Sequence, residues 1–108
     1  MNRGDIVTVA MQGDFGKPRP ALIIQSDAFN ETHATVTVLP MSSMIVDAPL
    51  FRITVAPTSE NGLKTICQIQ VDKIMSVRRE KIGAVFGRLD VNMRMRVNRA
   101  LAVWMGIA

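Results

Sequence analysis

Two prolines bracketing an arginine, followed at once by an unbroken apolar run, set the tightest limit on how this chain can fold. The stretch reads Lys17-Pro18-Arg19-Pro20-Ala21-Leu22-Ile23-Ile24-Gln25 and is preceded by the glycine-punctuated segment Gly13-Asp14-Phe15-Gly16. Proline fixes its own φ and pushes the residue before it into the extended region. Lys17 and Arg19 each precede a proline, so both are held extended and lose little freedom on meeting a ligand. Proline donates no ladder hydrogen bond and suits the first residues of a strand. Ala21 to Gln25 is too continuously apolar to have a wet face, which predicts a central strand. The result is a guanidinium mounted where a loop enters a buried strand. Its planar fork of donors stays charged at any ordinary pH and matches phosphate geometry; decoration of a strand end is the plainer alternative.

The remaining elements follow from period and punctuation. Ile6 to Ala10 reads as a first strand and Met11 to Lys17 as the first loop. Ser26 to Glu31 is a turn region with Phe29 as a plug. Ala34 to Leu39 alternates cleanly as a third strand, ended by Pro40-Met41-Ser42-Ser43, and residues 44–49 form an irregular connection. Phe51 to Val55 is the next strand, and Asn61-Gly62 marks a turn. Thr65 to Val71 is a fifth strand that points Gln68 and Gln70 to one side. Two amides on one face can read base edges, pin a peptide backbone, or simply face solvent. Asp72 to Lys81 is a polar connection with room for a short helical turn, and Ile82 to Arg88 a glycine-rich last strand with a bulge or bend. Asp90 caps a closing helix whose Met93, Val97, Ala100, Leu101 and Trp104 form a core-facing stripe, with Gly106 as its end. Five or six short strands and one helix predict a compact, mainly β, mostly antiparallel barrel, closed so that no edge is exposed.

Size and charge narrow the function. The 108 residues predict a single domain over 1–108, and 48% hydrophobic residues suffice for its core. No apolar run is long enough to span a membrane, and the N-terminus lacks a signal-like stretch. One cysteine, Cys67, forms no internal disulfide and predicts a small buried thiol in a cytoplasmic protein. Residues 1–72 carry five basic and seven acidic side chains, whereas residues 73–108 carry eight basic and two acidic ones. A basic end points to an anionic partner, nucleic acid or an acidic peptide. No phosphate loop, HExxH or CxxC pattern occurs, and the lone His33 has no partner at metal-ligand spacing. With no Tyr, four Phe and one Trp, stacking platforms are scarce. What remains is Arg19 at a strand start and Ser42 at a strand end, a pair suited to binding one phosphate and stabilising charge that builds on it. RNA supplies its own nucleophile in the 2′-OH, so a ribonuclease without metal or other cofactor is chemically open to such a chain.

Arg3-Gly4-Asp5-Ile6-Val7 at the start, and the RP-plus-apolar-strand stretch Lys17 to Gln25, are similar to motifs of the MazF/PemK toxin family. Val36 to Ser43 resembles the strand ending in a Ser/Thr pair, Gln70-Val71-Asp72-Lys73-Ile74 its Gln-Ile-x-x-Ile segment, and Gly87-Arg88-Leu89-Asp90 with Asn98 to Leu101 its C-terminal end. The resemblance covers about residues 3–106. It implies an SH3-like barrel that dimerises, and a cytoplasmic endoribonuclease toxin that cuts single-stranded RNA, often mRNA, at short motifs. The family reaction is metal-independent, uses the 2′-OH and leaves a 2′,3′-cyclic phosphate. By position, Arg19 would act on the scissile phosphate and in proton transfer, and Ser42 would donate a hydrogen bond to it. Phe15, Lys17, Ser43, Gln68 and Gln70 are the expected RNA contacts. A cognate antitoxin with an acidic, initially disordered segment would cover the basic groove. The chain departs from the family at Cys67 and Ile69, which occupy places where some members carry Arg and Asp, leaving Arg19 and Ser42 to carry the reaction. Two alternatives share the architecture: a CcdB-like non-enzymatic gyrase inhibitor, and a catalytically inactive RNA- or protein-binding module.

Overall fold

The computed structural model describes residues 1–10 and 17–107. Among them the chain runs β1 (Asp5–Ala10), β2 (Pro18–Ile23), α1 (Asp27–Asn30), β3 (Thr35–Ser42), β4 (Arg52–Val55), β5 (Cys67–Gln70), β6 (Met75–Arg78), β7 (Ile82–Arg88) and α2 (Val91–Met105). The expected closed barrel gives way to a curled open sheet of order β4-β5-β3-β2-β1-β7, with β6 also paired to β3. Every pairing is antiparallel. Closure proves unnecessary because the β7 side of the sheet is met by the turn after β4: the Arg88 N–H donates to the Glu60 carbonyl at 2.9 Å.

Alternation along the strands gives each sheet face its own core. Ile6, Leu22, Leu39, Met41 and Ile69 lie on one face, under Leu89 and Val97 of the C-terminal segment. Val7, Val9, Ala21, Ile23, Val36 and Val38 lie on the other, covered by Val77 of β6. The unbroken apolar run of β2 is therefore buried on both sides, as a central strand requires.

β2 begins at Pro18, earlier than its apolar run, and ends at Ile23. It pairs with β1 along Pro18 to Leu22 but with β3 only at Ala21, Leu22 and Ile23. The prolines occupy the half of the strand with a neighbour on one side only, where a missing N–H is tolerated. β3 runs on through Pro40 to Ser42 instead of stopping at the proline. Its second edge pairs with β6 as far as Val38 and with β5 from Met41, so Pro40 falls at the changeover. β6 lies inside the segment expected to be a plain connection, between two 3-10 turns at Val71–Lys73 and Arg79–Lys81. Phe29 is not a plug: it is 56% exposed, and Asn30 fills the interior beside it, donating to Gln25 O at 3.1 Å.

The closing helix obeys its sequence signals. The Asp90 carboxylate accepts from the Met93 N–H at 2.8 Å, and Gly106 ends the helix at φ +73°. Val97 is buried, and Met93, Ala100 and Leu101 pack as partly buried neighbours. Trp104 corrects the expected stripe, being 48% exposed and tilted against Phe51 with ring centroids 5.4 Å apart. The expected bulge is present as register shifts where β1 meets β7. A Cβ on Gly87 would run into the backbone of Asn61, whereas one on Gly83 would meet only the movable Thr8 side chain.

One ion pair anchors the turn after β5. Arg52 of β4 holds Asp72 by two bonds, Nε to Oδ1 at 2.8 Å and Nη2 to Oδ2 at 3.1 Å, with both side chains largely buried. The bidentate fork lowers the Asp72 pKa and raises that of Arg52.

Two outcomes are expected. Gly87→Ala should destabilise by about 1–3 kcal/mol in urea unfolding, and Gly83→Ala by less, because only the second contact can relax. The stabilisation from Asp72 is complete above its ordinary value of 3.8 and is lost as pH falls through its lower folded value. Unfolding free energy measured against pH should therefore drop in acid for the wild type, and Asp72→Asn should flatten that part of the curve.

Candidate RNA-cleaving site

The β2–β3 register places the site. Ala21 faces Pro40, Leu22 faces Leu39 and Ile23 faces Val38. Carried two residues further, the same register would set Arg19 opposite Ser42 on one face of the sheet. The ladder stops at Ala21 instead, and the strands part. A pocket of about 400 Å³ opens there, lined by Arg19, Pro40, Met41, Ser42, Ser43, Met44, Gln70 and Lys73. The two side chains expected to handle the phosphate thus line one cavity.

Each wall has its own support. Arg19 is exposed and paired across β1 with Val9. The Ser42 hydroxyl accepts from the Met44 N–H at 3.1 Å, which leaves its hydrogen available to donate. Gln70 closes β5, half-buried. Lys73 sits on the 3-10 turn that the Arg52–Asp72 pair secures. It had no signal of its own in the sequence; only the turn at Val71–Lys73 brings it beside Ser42. The pocket therefore offers two cations, two hydroxyls and an amide. This donor set suits a phosphodiester with an attached sugar or base.

The other expected contacts fare differently. Ser43 and Gln70 line the pocket. Lys17 is exposed just before β2 but is not among the lining residues, and Phe15 lies outside the described residues. Gln68 is a correction. It does share a face with Ser42, to which it is paired. The 43–50 segment nevertheless folds back over it, leaving it 3% exposed, and its amide is spent on Val46 and Thr54. It cannot read a base. Cys67 is buried, with burial raising its thiol pKa, which removes it as a nucleophile. His33 is exposed; its carbonyl accepts from Arg79 Nε and Nη2 at 3.0 and 2.8 Å. Among the described residues no group of three His, Cys, Asp or Glu could hold a metal ion. No described helix is long and apolar enough to cross a membrane.

Known proteins share this arrangement of chain. The Mycolicibacterium smegmatis protein named "Probable endoribonuclease MazF" is 47% identical over 109 residues, covering 100% of this chain and 99% of that one. "Endoribonuclease MazF9" of Mycobacterium tuberculosis is 27% identical over 110 residues, covering 94% of this chain and 92% of that one. In structure, the Mycobacterium tuberculosis toxin MazF-mt6 matches with a TM-score of 0.83 at 18% identity, over 96% of this chain and 98% of that one. A mycobacterial endoribonuclease in complex with its cognate antitoxin matches with a TM-score of 0.82 at 21% identity, over 100% and 97%. At these identities the structural likeness speaks for the fold. The model of a family described as "PemK-like, MazF-like toxin of type II toxin-antitoxin system" matches residues 2–105, and the chain belongs to that family.

Proposed function

We propose that the protein is an endoribonuclease toxin that cuts single-stranded RNA at short sequence motifs without a metal ion and is neutralised by a cognate antitoxin. The observation that carries this reading is that Arg19 of β2 and Ser42 of β3 line one pocket, which also holds Lys73. The curated relatives carry the name endoribonuclease, and a structural neighbour is held by its antitoxin.

The 2′-OH oxygen attacks the adjacent phosphorus, forming the O2′–P bond as the P–O5′ bond breaks. The 2′ proton is lost and the 5′ oxygen gains one, leaving a 2′,3′-cyclic phosphate and a 5′-OH. The Arg19 guanidinium works by charge, holding the non-bridging oxygens as negative charge grows on them. Ser42 donates to the same phosphate. Water in the open pocket exchanges the two protons. Lys73 meets a phosphate as a point charge, and Gln70 and Ser43 supply polar contacts to sugar or base.

An acidic antitoxin segment fits the same basic pocket by charge and excludes RNA from it. The exposed apolar residues at the end of α2 (Val103, Trp104 and Met105) and just past it (Ile107) support assembly as a homodimer, and the single free cysteine agrees with a cytoplasmic setting.

Purified protein should cleave single-stranded RNA in EDTA and leave cyclic-phosphate ends. Arg19→Ala should slow this by about 100- to 1000-fold, the usual loss of one preorganised charge donor. Uncut RNA together with gyrase-linked DNA breaks would overturn the reading. Lys73→Ala should weaken binding of a non-cleavable oligonucleotide and make the slope of log K against log salt shallower by about 0.7.

A further inference from the structure

Gln68 is the most buried polar side chain near the pocket and takes no part in the chemistry described. Its amide grips a single residue of the loop after β3 from both sides. Oε1 accepts from the Val46 N–H at 3.0 Å, and Nε2 donates to the Val46 carbonyl at 2.9 Å. The second Nε2 hydrogen goes to Thr54 Oγ1 at 3.1 Å, on the neighbouring strand β4. All of the amide's hydrogens are thereby committed inside the fold. The loop it grips needs such a hold. Met44, Ile45, Val46 and Leu50 are all exposed, so apolar packing does little to fix this segment.

The gripped residue lies four positions beyond Ser42. Between the two, Ser43 and Met44 line the pocket, and the Met44 N–H donates to the Ser42 hydroxyl. The wall opposite Arg19 is therefore fastened at both ends. The β3–β5 ladder holds Ser42 directly across from Gln68, and the Gln68 amide holds Val46.

We infer that Gln68 is a positioning residue: it sets the Ser42–Met44 wall of the phosphate pocket by clamping Val46, and so places the Ser42 hydroxyl for the reaction. This rests on the ribonuclease reading for its consequence on rate, but the clamp itself is independent of it. A loosened wall leaves Arg19 and Lys73 in place, so RNA should still bind while the hydroxyl is misplaced. Misplacement by about 1 Å can cost about 100-fold in rate.

The test compares wild type, Gln68→Leu, which keeps the volume and removes every bond, and Thr54→Val, which removes one bond from an exposed side chain. Backbone amide exchange is read at Met44 and Val46, with Leu39 as a core control, and single-turnover cleavage of an RNA oligonucleotide is read beside binding of its 2′-O-methylated copy. Gln68→Leu should speed exchange at Met44 and Val46 alone, lower the cleavage constant by about 10- to 100-fold and leave binding of the methylated copy nearly unchanged. Thr54→Val should move all readouts the same way by a smaller factor, and it carries the test should Gln68→Leu fail to fold. Unchanged exchange at Met44 and Val46 overturns the clamp. Faster exchange with wild-type cleavage overturns the positioning role. Should wild type itself leave RNA uncut, the ribonuclease reading falls, while the exchange measurement still decides the clamp.

Discussion

The site depends on a β ladder that stops too soon. β2 and β3 exchange bonds at three successive pairs and then part, although their register would bring Arg19 and Ser42 face to face two residues later. Pro18 and Pro20 supply no N–H there, so continuing the ladder gains little, whereas each ordinary ladder bond is worth about 1 kcal/mol net. The forgone pairing is small beside the two apolar cores that hold the same strands together further along. A polar cavity at the centre of a sheet is stable because the strands forming it are fastened elsewhere.

The groups around that cavity differ in how they are held. Arg19 is fixed by its own backbone, extended between two rings. Lys73 is fixed at second hand, through the bidentate Arg52–Asp72 pair beneath its turn. Ser42 belongs to β3, which changes partners from β6 to β5 at Pro40. Charge is therefore mounted on stiff chain, while the hydroxyl sits where strand becomes loop. This division suits chemistry in which electrostatic attraction tolerates distance and a single hydrogen bond does not.

Much of the scaffold was readable in the residues. The Asp90 cap and the Gly106 stop each follow from a local rule and sit where that rule puts them; the apolar run of β2 is central as read, although the strand spans Pro18–Ile23. β6 is hard to read because Met75-Ser76-Val77-Arg78 is short and set in a polar stretch without Gly or Pro at its ends, and its strand character comes from pairing with β3. A proline within a strand usually stops it, and at Pro40 the change of partner from β6 to β5 lifts that restriction. The facing of Gln68 and Ser42 follows from parity along β5. That a loop would then bury Gln68 depends on the path of residues 43–50, which no periodicity encodes. Trp104 fell on the helix stripe by spacing alone, yet the stripe runs past the end of the core it covers.

That overhang gives the molecule an optical gauge. Trp104 is the sole indole in the chain, half in water and half against the Phe51 ring. Its emission comes from one place, the last turn of α2, and shifts colour with local wetting. Whatever comes to lie on that turn will dry the ring and report itself as a blue shift, with no label attached.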